Sequence, residues 1–425
     1  MEKYLKPKQI LIAILIFTAL ARLIRIDFPN AYVFDEVYHA FTAKEYVLGH
    51  KEAWEYFASP PKGVAYEWTH PPLAKEIMAA SMMIVHSMNA WAWRLPGVLL
   101  GILSVYLVYL IGKKLFKSEV PSLVSAFAFS IDGLNFVQSR TGMNDIYVIT
   151  FMLVSLLFFI NKKYFFSAVF LGLSFASKWS VVYVFPVYFL LLIIESILNK
   201  NIKTLANFLW FLVVPPILYL ASYLPFFNSG FSFTQFKELQ QQMWWYHTNL
   251  KATHDYASPW WSWPLNLYPV WYFVSYEGSN IGNIFASGNP LVFWSGAIAI
   301  VLTVWETIKP LTKKVNLKHF IESYYNQIVI LLGYFAFWLP WAVSPRIMFL
   351  YHYSPSVPFM SLALGYQLNK LYSNPKDRNT FYLIIGLLLA SFILIYPFLT
   401  GIPLTRNIME LFFYTNVTKN PFPNP

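Results

Sequence analysis

The segment LAKEIMAASMMIVHSM, residues 73–88, decides how the rest of the chain is read. It is apolar enough to pass for a membrane span. It is also shorter than the roughly 20 residues that cross hydrocarbon, and it carries Lys75, Glu76 and His86. Those features fit an amphipathic helix lying in the membrane interface. The choice matters because a span here moves every later loop to the opposite side of the membrane.

Charge favours the in-plane reading. Apolar runs near 9–27, 95–111, 121–137, 146–160, 164–177, 179–197, 205–224, 291–308, 326–343, 347–368 and 380–399 predict eleven spans. With the N-terminus in the cytoplasm, the inner loops collect 17 of the 31 basic residues and six of the 20 acidic ones. The inner side then carries the whole net charge of +11 and the outer side none, as the positive-inside rule requires. A twelfth span at 73–88 destroys this agreement. The basic balance is therefore a topology signal, and no nucleic acid is needed to explain it.

Composition agrees. The chain is 57% hydrophobic and 12% charged, against about 25% charged in soluble domains. The fold class expected is an all-α polytopic membrane protein. There is no cysteine, which excludes disulfides, thiolate metal sites and a Cys nucleophile. Lys3, Lys6 and Lys8, an apolar run and ALA at 19–21 resemble a signal peptide. The run is long and Arg22 and Arg25 follow directly, so an uncleaved first span is expected. Two outer segments, 28–94 and 225–290, are too long to be mere connections, and long loops are where function concentrates. The tail 400–425 is expected outside, its end NPFPNP disordered.

The first outer segment opens with AYVFDEVYHAFTAKEY, residues 31–46. Asp35 or Glu36 there is a candidate general base for a hydroxyl; a solvated pair or a helix N-cap is the plainer reading. Glu36 and His39, one helical turn apart, also permit a metal site. Arg22, Arg25, Arg94, Arg140, Lys178 and Arg346 fall on the outer side, against the charge bias. Each alone reads as a snorkelling anchor. Together they suit an anion at the membrane surface, such as a lipid-linked phosphate. His70 before two prolines makes a rigid turn into segment 73–88. The run HDYASPWWSWPLNLYPVWYF, 254–273, holds His254, Trp260 and Trp261. It is either an interfacial aromatic belt or a stacking platform for sugar or peptide.

These stretches resemble the protein O-mannosyltransferases. ALARLIRIDFPNAYVFDEVYHAFTAKEY matches that family's first span and first outer loop, HPPLAK at 70–75 its His-Pro-Pro segment, and WRLPGVLLG at 93–101 its second-span start. IDGLNFVQSRTGMNDIYV, 131–148, carries a Ser-Arg-four-residues-Asp pattern ending at Asp145, and ASKWS and FLYHYSPSVPF also have counterparts. The resemblance implies a GT-C membrane glycosyltransferase, residues 1–425 forming one catalytic domain without the MIR domain of eukaryotic members. It implies transfer of mannose from a polyprenyl-phosphate-mannose donor to Ser/Thr hydroxyls of an acceptor protein. Asp35 takes the position of the base or acceptor contact, with Glu36 beside it. Arg22 and Arg94 take those of functionally important arginines, and Tyr351 and His352 lie near the donor end. On this reading Arg140, Lys178 and Arg346 join the donor-phosphate set, and His39, His70, Asp145, His254, Trp260 and Trp261 contact acceptor or loops.

The donor phosphate is a good leaving group and needs positive charge where charge develops, from Arg or Lys or from a divalent cation such as Mg or Mn. One carboxylate suffices for a single inverting displacement. Membrane lipid and the secretion translocon complete the expected partners, at the cell membrane with the site extracytoplasmic. A GT-C enzyme with a lipid or glycan acceptor, of the aminoarabinose lipid A type, uses the same donor logic. A transporter or flippase calls for paired, interrupted spans in two repeat halves, and no such symmetry is present.

Overall fold

The computed structural model describes residues 6–411; Lys3 and the NPFPNP end lie outside them. In chain order the helices are α1 (Pro7–Leu23), α2 (His39–Leu48), α3 (Leu73–Ile84), α4 (Ala90–Phe116), α5 (Glu119–Ser130), α6 (Gly133–Arg140), α7 (Asp145–Ile160), α8 (Tyr164–Phe175), α9 (Val184–Asn199), α10 (Phe208–Ala221), α11 (Leu224–Asn228), α12 (Phe233–Asn249), α13 (Pro290–Ile308), α14 (Leu317–Trp338), α15 (Val357–Ser373), α16 (Arg378–Thr400) and the short α17 (Arg406–Glu410).

Six helical stretches among the described residues are long and apolar enough to cross a membrane: Ala90–Phe116, Trp179–Asn199, Ile202–Asn228, Pro290–Thr312, Leu317–Val343 and Arg378–Thr400. The expected span 121–137 is broken instead. Its two halves, α5 and α6, meet at 58° and count as a seventh span only if taken together. Asp132 stands at the break, its carboxylate accepting from the backbone N–H of Leu134 and Asn135 and so starting α6 afresh. The other four expected spans are shorter helices: α1 of 17 residues, α7 of 16, α8 of 12 and α15 of 17. The last starts at Val357 rather than near 347, because Leu350–Ser356 winds as a 3-10 turn around Pro355. Length and composition therefore support six or seven spans where eleven were expected.

Segment 73–88 holds one short helix. Its helix α3 has 12 residues, about 18 Å at 1.5 Å per residue, too short to span. Ala74, Lys75, Met78, Ala79 and Met82 form its buried side, packed on α2 and α4, while Met83 and Ile84 are exposed. The second outer segment corrects the all-α expectation. It contains a hairpin, β1 (Val270–Glu277) against β2 (Asn280–Ala286), with β3 (Leu404–Thr405) pairing antiparallel on its other edge. The run VWYFVSYE is β-branched and aromatic, which suits a pleated half-buried surface. Gly278, at φ +61°, supplies the positive-φ corner of the two-residue turn.

Three helices approach closely at Gly101. A Cβ on Gly101 of α4 would lie 2.7 Å from the Ser139 side chain and 3.1 Å from Arg22, so only glycine lets α1, α4 and α6 converge there.

Candidate active site

A cavity of about 950 Å³ opens among the turns at one end of the bundle. Its walls come from 34–39, 65–70, 143–145, 178–183, 244–254 and 340–352, and these are the stretches that charge assigns to the outer side. It holds nine of the expected site residues: Asp35, His39, His70, Asp145, Lys178, His254, Arg346, Tyr351 and His352.

Asp35 and Glu36 part company. They lie in a 3-10 turn, Phe34–Val37, where successive side chains diverge by about 120°. Asp35 faces the cavity, and among the described residues its carboxylate has no hydrogen-bond partner. Burial, reinforced by Glu67, pushes its carboxyl up to about 7. Glu36 points the other way and is fully buried. It accepts from Arg94 Nε and Nη2 at 2.7 and 2.6 Å, from Trp93 Nε1 at 2.9 Å, and from the backbone of Val33 and Gly142, both at 2.8 Å. No lone pair is left for catalysis, so Glu36 is an anchor and not a second catalytic carboxylate.

The other two cavity carboxylates are also committed. Glu67 accepts from Thr69 Oγ1 at 2.5 Å and from the His70 N–H at 2.9 Å, with His39 Nδ1 3.7 Å away. Burial opposes its charge, but His39, Lys75 and Thr69 outweigh this and hold the carboxyl below its usual range. Lys75, buried beneath, donates to the carbonyls of Glu67 and His70 and so locks the His-Pro-Pro turn. Burial lowers His39 to about 4 and His70 well below its ordinary range, so both rings stay neutral near pH 7. Asp145, at the start of α7, accepts from Lys178 Nζ at 2.8 and 3.0 Å.

Positive charge reaches the cavity from Lys178 and Arg346. Arg346 Nη1 donates to His247 Nδ1 at 2.6 Å, and its Nε has no partner among the described residues. Tyr351 and His352 line the wall nearby, and the His254 ring stands 5.3 Å from Phe349 at the exposed rim.

Six further expectations are corrected. Arg94 uses all five of its N–H groups: three bond Glu36 and the carbonyls of Ile26 and Pro29, and the Nη2 pair serves Ala31 and Glu36. Arg22 is buried against Ser139, the Ser130 carbonyl and the Phe136 ring. Arg140 gathers the carbonyls of Ala21, Arg22, Ile24 and Arg25 at the end of α1, where helix carbonyls have no partner of their own. These three arginines meet protein oxygen and do not line the cavity. Trp260 and Trp261 lie off the cavity; Trp260 offers its carbonyl to Trp338, and Trp261 is exposed. The Glu36–His39 metal pair is unavailable because Arg94 holds Glu36, and no group of three or more His, Cys, Asp or Glu among the described residues is arranged for a metal.

Sequence reasoning passed over Glu67, Trp179, Trp244, Tyr246, His247 and Trp341, all on the cavity wall. The density of histidine and tryptophan in the outer segments was the available signal, but it did not single out positions.

Known proteins resemble this chain in sequence and fold. A family model described as the C-terminal four TMM region of protein-O-mannosyltransferase matches residues 232–413, and one for dolichyl-phosphate-mannose-protein mannosyltransferase matches 69–220. The polyprenol-phosphate-mannose–protein mannosyltransferase of Mycolicibacterium smegmatis is 24% identical over 89% of this chain and 86% of its own length. Among solved structures, the S. cerevisiae protein O-mannosyltransferase Pmt1–Pmt2 complex bound to the sugar donor superposes at TM-score 0.80, with 17% identity, over 96% of this chain and 92% of that one. ArnT from Cupriavidus metallidurans bound to undecaprenyl phosphate does so at 0.62, with 12% identity, over 89% and 63%. The likenesses establish the GT-C fold.

Proposed function

The chain belongs to the protein O-mannosyltransferase family, and from that premise we propose that it moves mannose from a polyprenyl-phosphate-mannose to Ser/Thr hydroxyls of proteins. The observation that carries the mechanism is Asp35. It is the one carboxylate of the cavity without a protein partner among the described residues, and burial brings its carboxyl to about 7. A base of that strength suits work near neutral pH.

In the proposed step the acceptor oxygen attacks the anomeric carbon as its proton passes to Asp35. The carbon–oxygen bond to phosphate breaks, and the lipid leaves as a phosphate monoester with one more negative charge. Lys178 and Arg346 meet that developing charge, which is where fixed cations lower a barrier. Tyr351 and His352 belong to this donor side, while His39, His70, Asp145 and His254 face the acceptor. Both matched regions supply the wall, Lys178 from one and Arg346 from the other, which supports one catalytic unit. Purified protein, labelled polyprenyl-phosphate-mannose and a Ser/Thr-rich peptide test the reading. One hexose gained by the peptide is expected; transfer only to lipid, or none, overturns it.

Two expectations follow from the site's placement. The rate constant kcat/KM should show an acid limb near pH 7, because Asp35 accepts a proton only when ionised and its carboxyl is raised to about 7. A phosphodiester donor does not titrate there, so a limb near pH 4 removes Asp35 as the base. The active site should lie outside the cell membrane, with the N-terminus in the cytoplasm. The chain has no cysteine, so single replacements report cleanly. In intact cells an impermeant thiol reagent should label Lys251→Cys and spare Lys314→Cys; the reverse pattern inverts the topology.

A further inference from the structure

Arg346 sits on a stretch without helix or strand, residues 344–349, so something other than backbone regularity must aim it. Its one hydrogen bond among the described residues runs to His247, on α12. Arginine only donates, so His247 Nδ1 must be the acceptor. The ring's other nitrogen, Nε2, lies 2.7 Å from the Thr69 carbonyl, which only accepts. The two bonds define a neutral His247 with its proton on Nε2. The ring faces are held as well: His70 stacks at 5.3 Å and Trp179 stands at 5.7 Å. Burial, with Arg346 next in effect, lowers His247 to about 4, which keeps that lone pair free.

We propose that His247 is a positioning residue: it ties Arg346 to the His-Pro-Pro turn of the first outer segment and presents the remaining guanidinium N–H groups to the donor phosphate. This rests on the reading that Arg346 contacts the donor. Arg346 lines the cavity and its Nη2 makes no hydrogen bond among the described residues, which supplies the donor that such a contact needs. The apolar side of α12, Phe236, Leu239 and Met243, packs without His247, so the helix keeps its seat when the ring is removed.

The test is a double-mutant cycle on donor binding, using the full-length protein in detergent with a labelled polyprenyl-phosphate-mannose. Loss of a hydrogen bond to a charged group corresponds to a roughly ten- to hundredfold effect. His247→Ala should weaken donor affinity at about the lower end of that range and raise the donor KM, while the peptide KM stays put. A merely misfolded fraction lowers kcat and leaves the donor KM unchanged. His247→Asn, whose side-chain oxygen can still accept from Arg346, should recover most of the affinity. In an Arg346→Ala background, His247→Ala should have little further effect. If His247→Ala weakens binding equally in both backgrounds, the positioning role is wrong while Arg346 keeps its place. If Arg346→Ala leaves donor affinity unchanged, the donor reading of Arg346 fails and the proposal with it.

Discussion

Asp35→Asn should lower single-turnover mannosyl transfer by a factor on the order of 10²–10⁴, the usual contribution of a general base, with donor affinity and folded yield intact. The amide keeps the size of the side chain and cannot take the acceptor's proton. Folding should not suffer, because no hydrogen bond is lost: the Asp35 carboxylate has no partner among the described residues. Substitution also removes a charge that burial disfavours. Measuring donor binding and transfer on matched amounts of monodisperse protein separates the two effects. Wild-type turnover in the Asn variant eliminates Asp35 as the base.

Glu36→Ala and Arg94→Ala should fail one step earlier, at folding. The pair is buried, at 0% and 1% exposure of the whole residues, with Arg94 Nη2 2.6 Å from Glu36 Oε2. Removing one partner of a buried ion pair costs about 3–5 kcal/mol, against a total stability of roughly 5–15 kcal/mol. The loss is compounded here because Arg94 also holds the carbonyls of Ile26, Pro29 and Ala31. Arg94→Lys should recover little, since an ammonium has three donors and no planar fork. The check is the yield of monodisperse protein and its unfolding temperature in detergent. An Arg94→Ala protein that folds normally but binds donor poorly returns Arg94 to the donor site.

These two experiments treat neighbours in sequence as opposites, and that is where sequence reading reached its end. Apolar runs and the lysines of short loops marked out the long segments 28–94 and 225–290, and nine expected residues do meet in one cavity. What fails is the inference from isolated charge to ligand. Arg22, Arg94 and Arg140 fall on the expected outer side against the charge bias, which read as a demand for an anion. In the fold, backbone carbonyls, a serine hydroxyl and Glu36 answer that demand, and which oxygens a guanidinium finds depends on tertiary approach. Direction is equally invisible: nothing in the letters Asp-Glu says which faces water until a 3-10 turn separates them. The aromatic run 254–273 read as an interfacial belt or a stacking platform, and its end, 270–273, enters a hairpin, because strand and belt favour the same residues. His247 escaped because its role is relational, lying between Arg346 and a carbonyl 178 residues away.

The bond network around Glu36 also bears on which hydroxyls are chosen. Asp35 is covalently next to a residue held by Arg94, Trp93 and the Gly142 backbone, so its position is inherited from the bundle. As the proposed base, Asp35 cannot follow a substrate that arrives off-line. Proton transfer needs heavy atoms within about 2.6–3.2 Å, so the acceptor must supply the flexibility. Extended, mobile segments of a protein meet that demand, whereas a hydroxyl held in a helix or a packed turn does not, however firmly its surroundings adhere to the enzyme. Selection would then act on reach and timing more than on affinity, and sites on a folded target would be modified before it folds or not at all.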